Sequence, residues 1–108
     1  MAKILTFLLM LAIGITTLMP SSEGASSLVG LDKLAHVVAF GVLVIPMTLQ
    51  YPRHWPLIWI AAVAYGGLIE IVQPYFGRGA EWADLAADGL GAGLGIGLVL
   101  ILRRPSSP

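Results

Sequence analysis

Cysteine is absent from the sequence. That excludes disulfides, a thiolate metal site and a thiol nucleophile, and it leaves the redox state of the compartment open. Charge is the second scarcity. Only 11% of the 108 residues are Asp, Glu, Lys or Arg, where a soluble domain carries about one-quarter. Six basic and six acidic residues cancel, and the basic ones are scattered, so no basic stripe is available to neutralise the phosphates of a nucleic acid. Nucleic acid is not an expected partner.

What the chain has in excess is hydrocarbon. It is 57% hydrophobic, its mean hydropathy is +0.89, and its uncharged runs are long enough to cross a bilayer. It is also too short to divide into several domains. These features predict an all-α integral membrane protein, a single domain over residues 1–108 that forms a bundle of four transmembrane helices near 4–19, 32–50, 56–73 and 84–102.

Lys3 precedes an uncharged run from Ile4 to Met19 that closes at Pro20. The pattern fits a spanning helix or a signal peptide. A retained helix is favoured, because the run is at the long end for a signal core and Glu23 spoils the small-residue stretch that follows it. Residues 20–30, rich in Ser and Gly, read as a loop. Asp32 is placed to cap the second helix, with His36 one turn further along the same face. Pro56 suits the first turn of the third helix, which should stop before Pro74. Tyr51, Trp55 and Trp59 at one end and Tyr75, Phe76 and Trp82 at the other resemble interfacial aromatic belts. Glycines 89, 91, 93, 95 and 97 form overlapping small-xxx-small patterns, which admit another helix at close range. They make a second copy of the chain a candidate partner through the fourth helix.

Lys3, Arg53, Arg103 and Arg104 fall on one side of this arrangement and Lys33 and Arg78 on the other, so the positive-inside rule predicts that both termini are cytoplasmic. The outer ends of three helices then share their polar residues: Asp32, Lys33 and His36 on the second, Glu70 and Gln73 on the third, Asp84 and Asp88 on the fourth. At 1.5 Å per residue, His36, Glu70 and Asp88 each lie about 6 Å inside the outer boundary of their helix. Ionisable groups at such a depth are expensive and mark a functional site by default.

The order Asp32-Lys33-Leu34-Ala35-His36 with Phe40, then Ile69-Glu70 with Gln73, then Arg78, then Asp84 before a glycine-rich helix, resembles the VanZ-like family of small bacterial membrane proteins. The resemblance covers residues 31 to about 97. It implies a multi-pass protein of the bacterial inner membrane, and its namesake is associated with resistance to the glycopeptide antibiotic teicoplanin, without a settled reaction. The family often has Asn where this chain has Asp88, so the site here carries an extra acid.

From the residues alone, His36, Glu70 and Asp84 are the candidate acid/base groups, a carboxylic acid beside an imidazole being competent for proton transfer. Asp32, Lys33, Gln73, Arg78 and Asp88 are the candidate ligand-binding groups. The guanidinium fork of Arg78 suits a phosphate or carboxylate, or an ion pair with Asp84 or Glu81. Three function classes follow. One is a site that binds or modifies an anionic lipid or a lipid-linked envelope precursor. A second is a small proton-coupled transporter, weakened because only Thr48 and Tyr65 offer a polar path inward. The third is an accessory subunit whose charges lock helices together. No metal or other cofactor is expected, because no His-x-x-x-His pair fixes a ligand geometry.

Overall fold

The computed structural model describes residues 1–18, 29–76 and 82–103, with the backbone alone at 29–32 and 76. The described chain is helical throughout, in four α-helices: α1 Ala2–Leu18, α2 Val29–Gln50, α3 Trp55–Val72 and α4 Trp82–Leu102. A 3-10 turn, Pro52–His54, joins α2 to α3, and a second, Gln73–Phe76, follows α3. Proline placement explains both turns. Pro52 and Pro56 sit in first turns, where a missing N–H costs least, and Pro74 cannot continue the α3 hydrogen-bond ladder.

One boundary differs from expectation in a way that bears on the site. The described part of α2 is already helical from Val29, so Asp32 lies inside the helix and is not the residue preceding it. An acid is favourable both as a cap and within a first helical turn, because either place sits against the positive end of a helix dipole. Asp32 alone therefore could not mark the start.

α2, α3 and α4 are each long and apolar enough to span a bilayer, whereas α1 is a shorter apolar helix of 17 residues. The distribution of residues is inverted relative to a soluble protein. Leu8, Ile15, Val38, Ile60, Leu68, Leu94 and Ile101 are exposed, while His36, Glu70, Gln73, Asp84 and Asp88 are buried. Such a surface is stable against lipid and not against water. The chain is a membrane protein.

α4 packs most extensively on α2, and glycine makes that contact. A methyl group at Gly91 would run into the Val37 carbonyl, and one at Gly95 would meet the backbone of Gly41 and the side chain of Val44. The two backbones thus touch directly, as small-residue helix pairs in membranes do. Phe40, Val44, Ala92 and Ile96 fill the core beside this seam. Gly91 and Gly95 are therefore spent inside the protomer, and a second copy would have to use other glycines of α4.

α1 is part of the same fold. Ile13 lies in the core cluster, the Tyr65 hydroxyl of α3 donates to the Met10 carbonyl, and Gln73 Nε2 donates to the Thr17 carbonyl at 3.1 Å. Two polar side chains from the α3 end of the chain thus anchor α1 in a setting where water offers no competing partner.

Candidate functional site

The polar cluster grows from the α2–α4 seam. His36 precedes Val37 and Phe40 on α2, and Asp88 precedes Gly91 by one turn on α4, so the glycine contact that brings the two backbones together also brings these side chains to the same level. His36 Nδ1 lies 2.7 Å from Asp88 Oδ1. The ring N–H donates to the carboxylate, which fixes the tautomer and the ring plane. On the other side of the ring, Nε2 lies 3.5 Å from Asp84 Oδ2, beyond good hydrogen-bond range but close enough for an ion pair when the ring is protonated. Asp84 Oδ1 in turn meets Lys33 Nζ at 2.6 Å.

The row Lys33, Asp84, His36, Asp88 sets a base beside an acid at each step and runs from a partly exposed end to a buried one. The Lys33 side chain retains 25% exposure, whereas Asp88 retains 1%. Spacing supplies the order: Lys33 and His36 are three apart on α2, Asp84 and Asp88 four apart on α4, and both intervals place side chains on one helix face.

α3 contributes the floor. A Cβ at Gly66 would stand 2.6 Å from Asp88 Oδ2, so the absence of a side chain there makes room for the carboxylate. Glu70, one turn along α3, is wholly buried. Gln73 is also buried, and its amide N–H donates to α1. Its Oε1 has no hydrogen-bond partner among the described residues. Below the cluster the described core is apolar apart from Tyr65, Thr48 and Thr6; the Thr48 hydroxyl is spent on the Val44 carbonyl, and the Thr6 hydroxyl oxygen is buried without a hydrogen-bond partner among the described residues.

Of the residues singled out in the sequence, Lys33, His36, Asp84 and Asp88 are in direct contact, and Glu70 is buried on the facing helix. The Asp32 side chain, Arg78 and Glu81 lie outside the described residues. Sequence reasoning missed two participants. Gly66 was invisible because its role is to be empty, and α1 was unconnected to the cluster because no polar side chain in it announces the bonds accepted by its Met10 and Thr17 carbonyls. Asp88 also has a more definite role than that of an extra acid: it is the immediate partner of His36. An Asn at that position can accept the same hydrogen bond through its amide oxygen. Among the described residues no group of three or more His, Asp or Glu is arranged to hold a metal ion.

No curated protein and no solved structure matches the chain. A family model described as VanZ/LLP1 does, over residues 3–103, so the match reaches from α1 to the end of α4. It takes in the first helix, which the motif resemblance did not reach, together with every residue of the cluster. On that match the chain belongs to the VanZ/LLP1 family.

Proposed function

We propose that the cluster is an outward-facing polar site that binds an anionic lipid or lipid-linked cell-envelope intermediate, with His36 as its acid/base group. The observation that carries this reading is the asymmetry of His36. One ring nitrogen is held by Asp88 at 2.7 Å, while the other looks past Asp84 at 3.5 Å toward the partly exposed Lys33. An anionic headgroup arriving at Lys33 competes with Asp84 for the ammonium and brings an oxygen toward Nε2. There a protonated ring donates to that oxygen and a neutral one accepts from its hydroxyl. Arg78, in the segment between α3 and α4, is a second cation for the same anion. This reading takes the bacterial inner membrane as the setting and glycopeptide resistance, teicoplanin in particular, as the biological context, as the resemblance to the VanZ-like family implies.

The test is native mass spectrometry of the detergent-purified protein after incubation with a bacterial lipid extract. Wild type is expected to retain a specific anionic lipid that Arg78→Ala and Lys33→Gln release and that Glu70→Gln retains or binds more weakly. Retention of nothing by any form, with the variants losing thermal stability together, would sink the binding reading. It would favour a second one, in which the buried pairs serve only to lock α2 to α4. The near-complete burial of Asp84 and Asp88 is the observation on that side. Beneath the cluster no ionisable carboxylate or imidazole continues the row among the described buried residues, which argues against a proton path through the bundle.

In this reading α1 is a fourth span and both termini are cytoplasmic, with Lys3, Arg53 and Arg103 on the inner face. Because the chain has no cysteine, single cysteines at His54 and Gly79 report topology directly. Labelling by a membrane-impermeant maleimide is expected from opposite sides of the membrane. Labelling of both from one side would refute the arrangement.

A further inference from the structure

The opposite end of the bundle carries a separate feature. Along the lipid-facing crevice between α3 and α4 lie two cavities, of about 500 Å³ near Trp82 and about 440 Å³ beyond it, divided by the indole of Trp59. The second is lined by Trp55, Trp59, Gly93, Ile96, Gly97 and Leu100. Its walls include no charged side chain. The one polar group of the dividing indole is already satisfied, since Trp59 Nε1 donates to the Gly89 carbonyl at 2.9 Å.

Two occupants suit an apolar slot over glycines in a membrane: a helix of a second copy, or a hydrocarbon chain. The position of Trp59 decides between them. A Cβ at Gly89 would lie 3.8 Å from its Cζ2 and one at Gly93 3.7 Å from its Nε1, so the indole lies across the glycine stripe. Helix pairing needs bare glycines to bring backbones together, and here the indole is in the way. A slender acyl chain needs only the slot that remains, and at Gly97 nothing lies within 4 Å.

Charge identifies what is attached to the chain. The slot ends where α3 begins and α4 ends. Arg53 stands two residues before Trp55, and Arg103 stands three after Leu100, one turn on along the same face. Both are exposed, and neither makes an ion pair with any described residue. No acidic side chain occurs in residues 33–69 or 89–103, so the side-chain charges described at this end are of one sign. Basic groups beside a crevice between membrane helices favour anionic headgroups.

We infer that the slot beneath Trp59, with Arg53 and Arg103 at its mouth, is a binding site for an anionic glycerophospholipid, its phosphate on the arginines and one acyl chain along Gly93 and Gly97. The site lies at the far end of the bundle from His36 and does not depend on what the His36 cluster binds.

Tryptophan quenching tests it. In a Trp82→Phe background the two remaining tryptophans, Trp55 and Trp59, both line the slot. The full chain is reconstituted in phosphatidylcholine vesicles with a minor fraction of phosphatidylglycerol, and bromine is placed on the acyl chains of one lipid or the other. Brominated phosphatidylglycerol is expected to quench several-fold more than the same mole fraction of brominated phosphatidylcholine. Arg53→Gln and Arg103→Gln should each reduce that preference, by up to about fivefold per arginine, and Gly97→Leu, which fills the slot, should lower quenching by either lipid. Equal quenching by the two lipids, or a preference that survives the double arginine variant, would overturn the site. So would a preference lost on Lys33→Gln, which would place the lipid at the other end. A Gly97→Leu variant that alters oligomeric state and leaves quenching intact would assign the slot to a second copy instead.

Discussion

Gly91→Leu is expected to prevent the bundle from forming. At this position the neighbouring atoms are the carbonyl and Cα of Val37, which belong to a helix backbone and cannot rotate aside. Overpacking a side-chain core costs about 1–3 kcal/mol because neighbours repack. Here the helices themselves must separate, and the cost should exceed about 3 kcal/mol, beyond the upper part of that range. Separation also undoes the His36–Asp88 contact one turn away, so loss of stability and loss of the site should come together. Thermal unfolding in detergent, followed by circular dichroism, measures the effect. The control is Gly67→Leu, at a glycine with nothing within 4 Å, where a change within about 0.5 kcal/mol is expected. If both variants melt alike, the α2–α4 backbone contact does not exist.

The second large effect is expected at Asp88. Asp88→Ala strips His36 of the partner of its Nδ1 at a buried position, and removing one member of a buried pair costs about 3–5 kcal/mol. Asp88→Asn keeps an acceptor at the same point and should cost much less, on the order of 1 kcal/mol. His36→Ala leaves the Asp88 carboxylate buried and should be as harmful as Asp88→Ala, while the double variant His36→Ala/Asp88→Ala should fall short of the sum by about 1–3 kcal/mol. The thermal midpoints of the wild type, the two alanine variants and the double variant close the cycle. Additive losses would mean that the two side chains are independent, and the 2.7 Å contact would then carry no energetic weight.

These two predictions concern the same seam, and it is the part of the molecule that the residue pattern described least well. The glycines of α4 were legible as a surface for close approach, yet nothing in their spacing said which helix would approach or which glycines it would use. Alternate glycines point in different directions around a helix. Gly91 and Gly95 turn to α2, and Gly89 and Gly93 turn to Trp59. Gln73 was legible as a polar group needing a partner, but its partner is a backbone carbonyl of α1, and carbonyls are the same in every residue.

The sequence by itself determined the class of the protein and the number and approximate limits of its helices, and it singled out His36, Glu70 and Asp88 as ionisable residues within apolar helices. Hydrocarbon-length runs, prolines and helical rise are local properties, and a bilayer penalises any other reading of them. Only the tertiary structure decided that Asp88 and not Glu70 holds the His36 Nδ1, that Lys33 joins the row through Asp84, and that α1 is tied in through Tyr65 and Gln73. Those choices depend on the rotation of each helix about its axis. Rotation is set by which small residues let two backbones meet, and that is a property of helix pairs that no single segment contains.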